Sequence, residues 1–93
     1  MTRAKKLKEI PDDPKYFKFG QLFADHMLSI DWTKQGGWEK PKIIPYGPIK
    51  IETSATVLHY GISAHEAITV CENNKTHKLQ AFRVEDHLNQ FYL

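Results

Sequence analysis

Pro45 and Pro48 stand close together near the middle of this chain, and Pro11 and Pro14 repeat their spacing near its start. Proline lacks the N–H that a sheet ladder uses and disrupts a helix interior. Neither a continuous central strand through residues 45–48 nor a long helix through residues 11–14 is therefore possible. The middle divides into two short, edge-like extended pieces, Lys42–Ile44 and Pro48–Glu52, around a turn. Residues 1–18 read as a polar N-terminal arm, with order beginning near Tyr16 to Phe19, and residues 19–93 as one small domain. A chain of 93 residues lies near the lower limit for burying a self-sufficient core.

The remaining pattern predicts a mixed α/β (α+β) domain of mixed or antiparallel strands packed with two helices. From Leu22 to Trp32 the residues alternate, with His26, Leu28, Ile30 and Trp32 on one face and Met27, Ser29 and Asp31 on the other, as in a half-buried strand. Thr33–Gly37 then supplies a polar loop, and Trp38 anchors the returning chain. In the stretch Thr53–Cys71, Val57, Gly61, Ala64 and Ile68 recur at helical spacing. Thr53 and Ser54 are suited to cap the helix start, and β-branched Ile68, Thr69 and Val70 place the change to strand near Ala67. Ile68–Glu72 and Lys78–Phe82 read as a hairpin around Asn73–His77, whose Asn pair tolerates positive φ. Val84–Leu93 forms a second helix with Val84, Leu88 and Phe91 on one stripe, and Phe91, Tyr92 and Leu93 need a covering surface.

Composition excludes several classes of function. A net charge of +2 with basic residues gathered at Arg3, Lys5, Lys6 and Lys8 describes a solvated end rather than a nucleic-acid platform, because no aromatic residues interleave with the charges. No apolar run approaches the roughly 20 residues that span a bilayer. Cys71 is the only cysteine, so no intrachain disulfide forms and a reducing cytoplasm is the simplest setting. His26, His59, His65, His77 and His87 include no pair at the i, i+4 spacing of a helical metal site. His65-Glu66 begins like H-E-x-x-H, but Thr69 stands where the second histidine belongs. Asp25 with His26, and His65 with Glu66, are the candidate acid–base pairs. Neighbours on a strand point to opposite faces, which favours a non-catalytic role for Asp25 and His26.

Three segments taken in order carry a resemblance. Phe19-Gly20-Gln21-Leu22-Phe23-Ala24-Asp25-His26-Met27, then Gly37-Trp38 with Ile44-Pro45-Tyr46-Gly47-Pro48-Ile49, then Val57-Leu58-His59-Tyr60-Gly61 followed by Glu66 resemble the beginning of a branched-chain amino acid aminotransferase. The family's enzymes are of fold type IV and use pyridoxal phosphate. The resemblance covers most of the chain from about Tyr16 and implies the family's small N-terminal domain. The larger domain that follows would carry the Schiff-base lysine, so the chain is expected to be truncated and not catalytic alone. The implied reaction moves an amino group between leucine, isoleucine or valine and 2-oxoglutarate. Tyr60 and Phe19 match aromatic residues of the family's substrate side-chain pocket, and branched aliphatic groups suit an apolar, shaped wall.

Departures from the family's pattern accompany these matches. His65-Glu66-Ala67 stands where the family reads F-E-G, and Ile68-Thr69-Val70-Cys71 replaces a basic and aromatic continuation. Gln90 occupies the position of an arginine that binds the cofactor phosphate, so a charge-assisted contact is lost and binding of pyridoxal phosphate by this chain alone is expected to be weak. The other function class open to such a sequence is a non-catalytic interaction or dimerisation module derived from that small domain. In that case the final helix meets a partner protein or a second copy of the chain.

Overall fold

In the computed structural model, which describes residues 1–92, the alternating stretch after Phe23 yields a shorter strand than its pattern predicts. The chain divides into two units, Met1–Lys50 and the residues from Ile51 onward, and each is described by itself. In the first unit β1 (His26–Ser29) is followed by β2 (Trp32–Thr33), β3 (Gly37–Trp38) and β4 (Lys42–Pro45). β1 pairs antiparallel with β4, in the register His26 to Pro45 and Ser29 to Lys42. β2 pairs with β3, which sets Trp32 directly opposite Trp38.

The ladder between β1 and β4 continues through Tyr46 N–H to Asp25 O at 2.9 Å. Phe23 and Tyr46 stack beside it with ring centroids 5.0 Å apart. In the β2–β3 turn Gly37 adopts φ 70°, and Gly36 N–H donates to Thr33 Oγ1 at 3.0 Å. Pro45 is tolerated because its strand has a partner on one side only, the edge setting that the missing N–H requires. Pro48–Glu52, expected as a second extended piece, forms no strand; Pro48 cannot donate to a ladder.

In the second unit α1 (Thr56–Tyr60) precedes the antiparallel pair β5 (Val70–Glu72) and β6 (Leu79–Ala81), and α2 (Val84–Tyr92) closes the described residues. The first helix departs most from its sequence pattern. It has five residues, its cap position is Ala55 with no side-chain hydrogen bond, and Gly61 ends it at φ 61°. A left-handed residue turns the chain out of the helical path, and glycine adopts that conformation without a Cβ clash. Gly61 is therefore a terminator and not a member of an apolar stripe. Ala64 and Ile68 never join Val57 on one helical face. Thr53 contributes to the start of the helix through its backbone instead, its carbonyl accepting from His59 Nε2 at 2.6 Å.

The hairpin between β5 and β6 forms as expected but turns by a different device. Positive φ falls on His77, at 54°, and not on the Asn pair. Asn73 instead accepts from the N–H groups of Lys75 and Thr76 through Oδ1, at 2.9 and 3.1 Å, a side-chain substitute for a backbone turn. His77 donates from Nδ1 to Glu72 Oε1 at 2.8 Å across the same turn.

None of the described residues is buried. The apolar face expected on β1 is open, Leu28 being 64% exposed, and neither helix holds a buried residue. The expected packing of strands with two helices is thus a set of antiparallel pairs and two helices without an enclosed core. Leu93, named in the expectation for the final helix, lies outside the described residues.

Gly61→Ala is expected to shorten α1 and cost about 1 kcal/mol, because an L-residue pays for left-handed backbone. No atom lies within 4 Å of where the new Cβ would stand, so the loss comes from the dihedral alone. Urea unfolding of the two proteins followed by circular dichroism checks it.

Candidate functional site

Phe19 belongs to the first unit and Tyr60 and Gln90 to the second. Phe19 lies in the turn before Gly20, whose φ is 71°, and its side chain is fully exposed at 105%. Tyr60 is the last residue of α1 and is 78% exposed, with its ring tilted 58° against that of His59 at a centroid distance of 6.5 Å. Both aromatics are held by local backbone devices, a glycine turn in one case and the end of a short helix in the other. Each offers a ring face that the described residues leave uncovered.

Gln90 lines a cleft of about 210 Å3 on α2, together with Phe82, Arg83, Asp86 and His87. Its charge balance is set by one short pair. Arg83 Nε donates to Asp86 Oδ2 at 2.6 Å, and Arg83 reaches it from positive φ, 50°, immediately before α2. A phosphate dianion here would meet a neutral amide at Gln90, a carboxylate at Asp86 and a guanidinium already engaged by that carboxylate. These residues do not by themselves form a phosphate site, since the cleft lacks an uncompensated cation.

One wall of this cleft is held by a contact that sequence spacing does not reveal. Glu66 Oε1 accepts from His87 Nδ1 at 2.9 Å, with side chains only 25% and 26% exposed. A carboxylate is acceptor-only, so the His87 proton sits on Nδ1 and leaves Nε2 as the acceptor nitrogen when the ring is neutral. The pair ties the irregular segment after α1 to the first half of α2. Glu66 and His87 are 21 positions apart in the chain, and no motif joins them.

The acid–base pairs expected from sequence are each engaged elsewhere. Asp25 Oδ1 accepts from Lys8 N–H at 3.0 Å, and His26 Nε2 accepts from Ala4 N–H at 2.9 Å. Glu66 pairs with His87 and not with its neighbour His65. Among the described residues no group of three or more His, Cys, Asp or Glu is placed to hold a metal ion, and no helix is long and apolar enough to cross a membrane.

Comparison with known proteins puts these residues in context. No protein-family model matches the chain. The cytosolic branched-chain-amino-acid aminotransferase of Mus musculus is 38% identical over 90 residues, which is 97% of this chain and 23% of the relative. Branched-chain-amino-acid aminotransferase 2 of Bacillus subtilis is 36% identical over 97% of this chain and 24% of its own length. Over this stretch, the chain is similar to branched-chain-amino-acid aminotransferases. The aminotransferase of Mycolicibacterium smegmatis is 50% identical over a shorter part, 54% of this chain and 14% of the relative. The chain thus spans about a quarter or less of the aminotransferases it matches, and similarity to the first two runs along nearly all of it.

A double-mutant cycle on this chain, combining Glu66→Gln with His87→Leu, is expected to return a coupling of about 1 kcal/mol at neutral pH, the size of one partly sheltered hydrogen bond. Chemical denaturation of the four proteins measures it.

Proposed function

We propose that this chain forms the small N-terminal domain of a fold type IV branched-chain-amino-acid aminotransferase, where Phe19 and Tyr60 contribute to the wall that receives the substrate's aliphatic side chain. The observation that carries this reading is similarity at 38% identity over 97% of the chain to a protein of that name. Each aromatic presents an open ring face within its own unit, and rigid rings exclude water from leucine, isoleucine or valine at little entropic cost. In this proposal the reaction is amino transfer between those amino acids and 2-oxoglutarate.

Pyridoxal phosphate is the cofactor that the family implies. The cleft at Gln90 does not match its phosphate, so the phosphate is held by other residues of the whole enzyme. In this proposal the chain's own part is to shape and dry the substrate pocket.

A second reading rests on the open apolar side chains of α2, where Phe91 is 52% and Tyr92 92% exposed. These suit a non-catalytic module that docks through the final helix. The two readings separate in one assay, in which the chain is mixed with the Bacillus subtilis relative cut to lack the matching stretch. Restored transfer from leucine to 2-oxoglutarate, lowered about tenfold in kcat/KM by Tyr60→Ala, supports the aminotransferase role. The factor corresponds to losing roughly 1.4 kcal/mol of apolar contact. Formation of a stable complex without activity would favour the module.

Direct cofactor chemistry has its own check. Titrating the chain with pyridoxal phosphate, trapping with borohydride and mapping the products by mass is expected to show no lysine labelled above a free-lysine control. Saturable labelling of one lysine would place a Schiff base within this chain.

A further inference from the structure

The basic N-terminal segment makes a series of specific contacts with the β1–β4 pair. Thr2 N–H donates to Ile43 O on β4 at 2.8 Å. Two residues on, Ala4 N–H donates to His26 Nε2 on β1 at 2.9 Å, and this contact is partly buried. Lys8 then closes the crossing from both its backbone and its side chain. Its N–H meets Asp25 Oδ1 at 3.0 Å, and its ammonium donates to Phe23 O at 2.9 Å and lies 5.5 Å from the centre of the Tyr46 ring. Residues 2–8 are a strap with two ends. The Lys8 end is clasped by a carbonyl, a carboxylate and a ring face. The Thr2 end is held by the β4 carbonyl and by one histidine nitrogen.

That nitrogen decides when the strap is closed. A backbone N–H only donates, so Nε2 of His26 must carry a lone pair, which fixes the ring as neutral with its proton on Nδ1. Protonation turns Nε2 into a second donor facing the first. Met1 and Arg3 line the hollow of about 520 Å3 that His26 shares with Leu7 and Asp25. The Arg3 guanidinium is a cation, as is the Lys8 ammonium beyond it. Asp25 is the carboxylate that lines this hollow, and its Oδ1 accepts from Lys8 N–H. Across the ladder His26 faces Pro45, which has no ionisable group, and Tyr46 follows it.

The geometry points to a proton-operated strap: neutral His26 holds residues 2–4 against the β1–β4 pair, and protonation of His26 releases them while Lys8 remains clasped. Release uncovers the Ile43 carbonyl on β4 and opens the hollow beside β1. The unequal chemistry of the two ends makes the segment hinge at Lys8 instead of leaving as a whole.

Nitrogen-15 NMR of the whole chain, titrated from about pH 8 to about pH 5 across the range in which histidine changes charge, tests this. The expected result is a His26 ring with its proton on Nδ1 at the upper limit. As pH falls, the Thr2 and Ala4 amides move toward random-coil positions with the same midpoint as that ring, and the Lys8 amide stays in place. In His26→Gln, whose amide oxygen accepts at either pH, the Thr2 and Ala4 step is expected to vanish with the strap closed. Ala4→Pro removes only the donor, outside the strands, and is expected to leave Thr2 near its random-coil position throughout. Random-coil positions for Thr2 and Ala4 already at pH 8 would overturn the proposal. So would a His26 titration that leaves both amides still, or an Ala4→Pro protein whose Thr2 step is unchanged.

Discussion

Among the described residues, backbone pairing comes in three separate two-stranded pieces, and no third strand joins any of them. A lone hairpin in water is marginal, since its ladder exchanges hydrogen bonds with solvent at little net gain and it has only one neighbour to pack on. Each pair is therefore reinforced at its ends by groups close at hand. Tyr46 N–H and the Phe23–Tyr46 stack extend β1–β4, Glu39 N–H to Asp31 O extends β2–β3 at 2.7 Å, and Asn73 organises the turn of β5–β6. Side chains that would make a core in a closed domain stay open. A chain with this economy presents surfaces, and a binding pocket needs enclosure on several sides. That is the physical reason for proposing that it supplies one wall of an active site.

Electrostatics follows the same local logic. Four of the described ion pairs are exposed and add little to stability, because water screens them and ordering the side chains opposes them. Glu66 with His87 differs by being sheltered and by joining distant parts of the chain. Its consequence is positional: it fixes one wall of the cleft near Gln90, where the Arg83–Asp86 pair has already consumed the nearby positive charge.

Much of the element order was legible in the sequence, because strand alternation, the hairpin signal at Asn73 and the stripe on α2 are local patterns with local causes. The prolines were equally plain. Pro45 appears at a strand end on an edge, and Pro48 precedes a segment that forms no ladder. The helix after Thr53 was not legible in length, since Gly61 fits an apolar helical stripe as well as it fits a left-handed stop. Periodicity counts it in either case, and only the backbone angle separates the two. Contacts were harder still. Glu66–His87 and the crossing of Thr2, Ala4 and Lys8 join residues with no shared spacing, and a run of basic residues reads as solvated until its partners, here carbonyls, a neutral ring nitrogen and a carboxylate, are placed beside it. The family was legible from motif order. The charge deficit of the cleft was only half visible, because Gln90 is evident in the sequence while the engagement of Arg83 by Asp86 is not.

The facing of Trp32 and Trp38 across β2–β3 has a use beyond holding that turn. They are the chain's two tryptophans, and both are open to water, at 57% and 74%. Indole emission responds to the polarity around the ring, so all of the chain's tryptophan fluorescence originates from one small, wet hairpin in the first unit. A partner surface that takes water away from that hairpin shifts the emission to shorter wavelength, so the two indoles form an optical gauge of contact at β2–β3.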